Sequence, residues 1–212
     1  MNKINFWGTS LVGKKRKHRS DEEYEDDIET KPCMNIYTQD NHIYFTEDID
    51  CNTAFNLNKE LRNLDVKLRM DAISTNTDPR PIYLHLTTDG GYIHSAFSII
   101  DCMKSLKVPV YTVIDGFVAS AGTLISVHGD KRFIRENAYV LIHELRSGFW
   151  GKMTYLNEEH QNCKKIQEHL TKIYLEKTKL TKNRLATILK KDLQFNAEEA
   201  LNMGMVDEVY KS

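Results

Sequence analysis

The residues Val108-Pro109-Val110-Tyr111-Thr112-Val113-Ile114 form an apolar, β-branched run, and it gives way at once to Asp115-Gly116-Phe117-Val118-Ala119-Ser120-Ala121-Gly122. A buried strand has to leave its sheet, and the small residues that follow allow a tight turn into a helix. The chain therefore reads as an α/β protein with Ser120 at the apex of a strand-to-helix junction. A serine hydroxyl is a weak nucleophile at its free pKa. Such a junction is where it becomes reactive, because the oxygen is exposed and the first N–H groups of the helix point at it unpaired. Small residues also open ordinary helices, so the junction alone leaves a purely structural Ser120 open.

A candidate base and its orienter follow downstream. His143 ends the apolar run Ala138-Tyr139-Val140-Leu141-Ile142-His143, which has the length of a buried parallel strand and would present the imidazole at its tip. Asp192 comes after a long helical stretch, in Lys191-Asp192-Leu193-Gln194-Phe195-Asn196-Ala197-Glu198-Glu199-Ala200. In serine-hydrolase chemistry the histidine takes the serine proton and returns it to the leaving amine, while a carboxylate fixes the tautomer. Asp115 and Asp130 compete with Asp192 for that last role. Upstream, Pro81-Ile82-Tyr83-Leu84-His85-Leu86-Thr87-Thr88-Asp89-Gly90-Gly91 reads as a strand ending in a turn. Residues 92–106 read as a helix with Ile93, Ala96, Phe97, Ile100 and Met103 on its core side. Strand, glycine pair and helix can build an oxyanion hole, since glycine lets backbone N–H groups come close to substrate. An Asp-Gly-Gly sequence is also an ordinary turn.

Taken in order, these pieces resemble one family. From about residue 35 to residue 209 the chain is similar to the proteolytic subunit of the Clp protease (ClpP), a self-compartmentalised serine peptidase. The resemblance rests on Gly90-Gly91, on Gly116 with Ala119-Ser120-Ala121-Gly122, on Ile142-His143, on Asp192 with Ala197-Glu198-Glu199-Ala200, and on Gly204-Met205-Val206-Asp207. It implies a ClpP/crotonase-like α/β fold of stacked sheet and helices with a projecting strand-helix handle. It also implies Ser120 as nucleophile, His143 as general base and then acid, Asp192 as orienter, and the N–H groups of Gly91 and Ala121 as the oxyanion hole. The implied activity is serine endopeptidase hydrolysis of peptides and unfolded proteins, without cofactor or metal. The implied assembly is a heptameric ring, with two rings stacked through the handle. No Walker-type phosphate loop occurs in the chain, so the AAA+ unfoldase that feeds such a chamber would be a separate partner.

The chain departs from the family at Thr88-Asp89, where Ser-Pro is usual, at Ala121, where methionine is frequent, and at Glu144-Leu145, where Gln-Pro is usual. The interval from Ser120 to His143 is about two residues short, most simply at Gly129-Asp130-Lys131. Backbone donors make Ala121 tolerable, whereas a carboxylate at Asp89 opposes an oxyanion unless it faces solvent.

At 212 residues and 41% hydrophobic content the chain fits one domain, 31–212, preceded by a tail, 1–30. In that tail Lys14-Lys15-Arg16-Lys17-His18-Arg19 is followed by Asp21-Glu22-Glu23-Tyr24-Glu25-Asp26-Asp27, with little to bury, and disorder is expected there. The overall charge of −1 gives no drive towards nucleic acid or anionic membrane. Cys33, Cys51, Cys102 and Cys163 are scattered, which argues against zinc or a disulfide framework and for a reducing cytoplasm. No apolar stretch approaches the ~20 residues that span a bilayer.

The remaining segments read as scaffold. Two short strands flank Gln39-Asp40-Asn41. A helix follows, with Ala54, Leu57, Leu61 and Leu64 inward and Thr53 or Asn52 as cap, and then a polar loop over 71–79. Residues 154–180 form the longest helical candidate, with Leu156, Cys163, Ile166, Leu170, Ile173 and Tyr174 on one stripe. Before it, Phe149 and Trp150 sit as an apolar pair in a glycine-flanked turn. Asn196 with Glu199 forms a capping box for a last helix that Gly204 can end. His85 and His94 are read as ordinary half-buried histidines, and His128 as lying two turns along the helix after Ser120. Three other functions stay open: a crotonase-type acyl-CoA enzyme, a non-enzymatic or regulatory ring subunit, and a dedicated processing protease of the same fold.

Overall fold

The run before Ser120 is a strand, and it is longer than its apolar stretch. A computed structural model describes residues 36–211, and there β4 spans Val110–Ala119, carrying the chain through Asp115 and Gly116 to the residue before Ser120. Gly116 has a φ of +70° with open space where a Cβ would sit, so it is glycine for backbone conformation and not for room. The strand consequently forks. Residues 111–114 pair in parallel with β5 (Lys131–Ile134), and residues 117–119 pair in parallel with β6 (Tyr139–Leu141).

The main sheet runs β1 (Ile36–Gln39), β2 (His42–Phe45), β3 (Ile82–Thr88), β4, β5, β8 (Glu208–Val209). Its pairs are parallel apart from the β1–β2 hairpin. Strand β7 (Gln194–Phe195) adds antiparallel to β6. Helices α1 (Cys51–Thr75), α2 (Ile93–Ser105) and α3 (Ala121–Ser126) supply Leu57, Leu61, Ile99 and Leu124 to a common core with Ile43, Phe45, Leu84, Leu86, Ile114 and Val118 of the strands. The strand residues alternate, as one covered sheet face requires. Helices α4 (Met153–Lys177), α5 (Lys182–Leu189) and α6 (Ala197–Met203) follow. This α/β architecture is the one that the sequence resemblance implies.

Local chemistry corrects several boundaries. Helix α1 is capped by Asp50, whose carboxylate accepts from the Asn52 and Thr53 N–H groups, while Thr53 returns its hydroxyl to the Asp50 N–H. Thr53 is therefore the third helical residue of a capping box, and neither it nor Asn52 is the cap. The helix runs on to Thr75 and ends at Asn76, with φ of 52°, so much of the expected 71–79 loop is helical. His128 lies beyond the end of α3, with Nδ1 donating to the Leu124 carbonyl at 2.7 Å. In α4 only Leu170, Ile173 and Tyr174 of the expected stripe are buried; Leu156, Cys163 and Ile166 are half-buried. The Asn196–Glu199 capping box and the left-handed Gly204 at the end of α6 stand as expected. The charged segment 1–30 lies outside the described residues.

One buried carboxylate ties the helical layer together. Asp65 Oδ1 accepts from the N–H groups of Lys107 and Val108 at 2.8 and 2.9 Å, and Oδ2 pairs with Arg69. Truncating it strands two N–H donors in the connection between α2 and β4. Asp65→Ala is expected to cost about 2–4 kcal/mol in urea unfolding.

The other sheet face carries a polar chain among aromatic rings. Asp115 Oδ2 lies 2.7 Å from His85 Nδ1, its Oδ1 accepts from Arg135 Nε at 2.9 Å, and His85 Nε2 lies 2.9 Å from His42 Nδ1. Burial opposes ionisation of Asp115, but the His85 and Arg135 hydrogen bonds outweigh it and hold the carboxyl below its usual range. An ionised carboxylate only accepts, so His85 Nδ1 donates to it. In the neutral ring, Nε2 then accepts from His42, which burial keeps below its ordinary value. A carboxyl depressed in the folded state stabilises the fold fully above its unfolded pKa, and that contribution is lost as pH falls through the folded value. Wild type is therefore expected to lose more stability than Asp115→Asn below about pH 4, read as urea midpoints along a pH series.

Candidate active site

Ser120 sits where β4 passes into α3, and its backbone adopts φ 52° and ψ −123°. Non-glycine residues rarely adopt a positive φ. The junction is held from three sides. The Ser120 N–H donates to the Leu141 carbonyl at 2.9 Å, which ties it to the end of β6. Its carbonyl accepts from the Thr123 N–H at 3.0 Å and from Thr123 Oγ1 at 2.7 Å. On the third side, a Cβ built at Gly90 would lie 2.7 Å from Ser120 Cβ and 2.9 Å from the Ala119 carbonyl, so only glycine lets that segment pass.

A hydrogen-bonded chain runs inward from there. Tyr174 OH lies 2.7 Å from Thr123 Oγ1. The threonine has one hydroxyl proton and gives it to the Ser120 carbonyl, so the tyrosine donates to the threonine. Complete burial pushes the Tyr174 phenol far above its usual range, which keeps it a donor at every working pH. Sequence reasoning placed Tyr174 on an apolar stripe. No spacing rule links it to Thr123, from which it is 51 residues distant.

His143 follows β6 by two residues, a shorter strand than the apolar run suggests. Its Nδ1 lies 2.7 Å from the Glu144 carbonyl oxygen. A carbonyl only accepts, so Nδ1 carries the proton and Nε2 of the neutral ring is left unprotonated, the form a general base needs. Ser120, Ala121, His143 and Gly91 line one cavity together with Ile93, Leu124, Leu145, Leu170 and Tyr174. Gly91 is fixed beside Ile49, where a Cβ would come within 2.2 Å of the Ile49 carbonyl. Asp89, the departure of greatest electrostatic concern, is exposed.

Asp192 lies in the connection between α5 and β7. Strands β6 and β7 pair Val140 with Phe195 and Leu141 with Gln194. The next bond across, from the Glu144 N–H to the Leu189 carbonyl at 2.8 Å, leaves that register, so the ladder does not set His143 opposite Asp192. The Asp192 carboxylate forms an ion pair with Arg146. Its two competitors are engaged elsewhere: Asp115 in the chain with His85 and Arg135, and Asp130 with the Val110 N–H at 2.8 Å. His85 is buried in that same chain, and His94 is exposed on α2. Arg146 was not singled out from the sequence, where its partner lies 46 residues away.

Beyond Ile93 and Leu145 the cavity wall continues into a wider apolar groove lined by Tyr92, Phe149, Cys163 and Ile166. Among the described residues, no helix is long and apolar enough to cross a membrane.

The Thr123 hydroxyl both accepts from Tyr174 and donates to Ser120, so removing it orphans the buried Tyr174 hydroxyl and takes one of two donors from the Ser120 carbonyl, whereas removing the Tyr174 hydroxyl orphans none outright. Thr123→Val is therefore expected to cost about 2–3 kcal/mol and Tyr174→Phe about 1 kcal/mol in chemical denaturation.

A family model described as Clp protease matches residues 25–212. The chain is 31% identical over 163 residues to the ATP-dependent Clp protease proteolytic subunit 2 of Treponema denticola, covering 75% of this chain and 80% of that protein. It is 29% identical over 150 residues to the ATP-dependent Clp protease proteolytic subunit 2 of Pseudomonas aeruginosa, covering 70% and 74%. To the ATP-dependent Clp protease proteolytic subunit of Deinococcus radiodurans it is 28% identical over 139 residues, covering 65% and 68%.

Proposed function

The chain belongs to the Clp protease family, and we propose that it is the proteolytic subunit of an ATP-partnered, self-compartmentalised serine endopeptidase that works through Ser120, His143 and Asp192. The observation that carries this proposal is the shared cavity of Ser120, His143, Gly91 and Ala121, with the His143 Nδ1 proton committed to a carbonyl.

In the proposed reaction a peptide lies along the apolar groove with its scissile carbonyl over Ser120. The Ser120 Oγ–H proton passes to His143 Nε2 as Oγ bonds to the carbonyl carbon. The oxyanion that forms accepts from the N–H groups of Gly91 and Ala121; Ala121 opens α3, so helix geometry leaves its N–H without an intrahelical acceptor. His143 then gives the proton to the amine nitrogen as the C–N bond breaks. Water attacks the acyl-enzyme, its proton goes to His143 and on to Ser120 Oγ, and the acid product leaves. Asp192, as the acid of the proposed triad, stabilises the imidazolium in both halves of the cycle.

Ring assembly belongs to the same proposal. Trp150 is 92% exposed and Met153 70% at the start of α4, and Phe55, Val66, Met70 and Ile73 are exposed along α1. Apolar groups in such contiguous runs mark contact surfaces. A closed homo-oligomeric ring would cover them, and a separate AAA+ unfoldase would supply folded substrates. The relatives from Treponema, Pseudomonas and Deinococcus are named as ATP-dependent proteolytic subunits, which supports this pairing.

The test is fluorophosphonate labelling of size-fractionated protein beside Ser120→Ala, with the adduct located by mass spectrometry. The expected result is a single adduct on Ser120, confined to the assembled fraction, and peptide hydrolysis reduced on the order of 10⁶-fold in Ser120→Ala and His143→Ala. Absence of an adduct in every fraction, with and without a candidate unfoldase, would favour a non-enzymatic ring subunit instead.

A further inference from the structure

Arg146 lines the cavity of Ser120 and His143 and donates through Nη2 to Asp192 Oδ2. It lies three residues past His143, so the guanidinium ties the candidate acid to the cavity that the candidate base lines. Both partners are more than half exposed, Arg146 at 54% and Asp192 at 57%. An exposed ion pair contributes little to holding a fold. Its consequence lies in the charge that it brings to the cavity of His143. A carboxylate has lone pairs enough to accept from Arg146 and still face an imidazolium.

We propose that Arg146 is a positioning residue of the hydrolytic reaction, which holds the Asp192 carboxylate beside the cavity of His143 and offsets part of its charge. This inference rests on the serine hydrolase function proposed for the site. The reaction needs the imidazole to accept a proton from Ser120 and then to release it to the leaving amine. An uncompensated carboxylate favours the first transfer and hinders the second, because it stabilises imidazolium. A carboxylate shared with a guanidinium keeps its orienting role while retaining the proton less strongly. Other charged or titratable groups near the pair are Glu144 on the same segment, Tyr174 from α4, and the exposed Lys190 and Lys191 beside Asp192. Tyr174 is committed to Thr123, and Arg146 forms the ion pair with Asp192.

The experiment is a pH profile of kcat/KM for a fluorogenic peptide, measured on assembled protein for wild type, Arg146→Gln, Arg146→Lys and Asp192→Asn, at low salt and at 1 M salt. Removing the positive charge strengthens the hold of Asp192 on imidazolium, so His143 becomes a working base only at higher pH. The acid-side midpoint of Arg146→Gln is expected to move up by about 0.5 pH unit at low salt, with kcat lower by about tenfold and the midpoint shift shrinking at high salt. Arg146→Lys should keep the wild-type midpoint, and Arg146→Gln should move nothing further in the Asp192→Asn background. An Arg146→Gln midpoint equal to wild type at low salt, whatever its rate, would reduce Arg146 to a structural contact and overturn the proposal. A wild type that neither cleaves peptide nor labels at Ser120 would overturn the hydrolase function itself and this inference with it.

Discussion

An L-residue at φ 52° and ψ −123° is held against its own steric preference, and the architecture around Ser120 is arranged to hold it. Such a conformation costs about 1–3 kcal/mol. Three hydrogen bonds at this one residue, from its N–H to Leu141 and to its carbonyl from the Thr123 N–H and hydroxyl, each contribute about 1 kcal/mol net and offset it. The partners come from different parts of the chain. Leu141 requires the fork in β4 that brings β6 alongside, and Thr123 requires the buried Tyr174 of α4 behind it. The strained serine is thus possible only in the finished fold, and a local peptide of the same sequence would not keep it.

The fork in β4 explains how sheet and site are joined. Before Gly116 the strand belongs to the main sheet through β5; after it, the strand belongs to a smaller ribbon with β6 and β7. The first half lies under the helical layer and carries the core. The second half carries Ser120 on its end and, through β6, brings the segment of His143 beside it. One glycine conformation separates the part of the strand that stabilises the fold from the part that presents chemistry.

Much of this was legible in the sequence because it depends on local rules. Apolar runs marked β3, β4 and β6, small residues marked the junction at Ser120, and the Asn196–Glu199 pair marked the start of α6. Boundaries failed where two local signals compete. Thr53 and Asn52 are good caps, but Asp50 accepts two N–H groups at once and wins. Residues 71–75 carry Asp71, Ser74 and Thr75 among Ala72 and Ile73, and they continue α1 because Ala72 still reaches the buried side of the helix. His128 fell outside α3 because that helix stops after two turns at most. What periodicity could not reach were the pairings across long intervals: Thr123 with Tyr174, His85 with Asp115 and Asp192 with Arg146. Each is a choice among several chemically suitable partners, and only the packing of the folded chain makes it.

The β6–β7 ribbon has two register pairs, and β7 is a two-residue strand. The core beneath the main sheet is cooperative and deep, whereas this ribbon can open at a free-energy cost well below that of global unfolding. Pairing of the segment before His143 with the segment after Asp192 is consequently a separate equilibrium from folding. Anything that lengthens or clamps the ribbon raises the fraction of molecules with those segments paired without altering the core. The order of this corner of the chain is graded by a local population, while the body of the protein stays folded throughout.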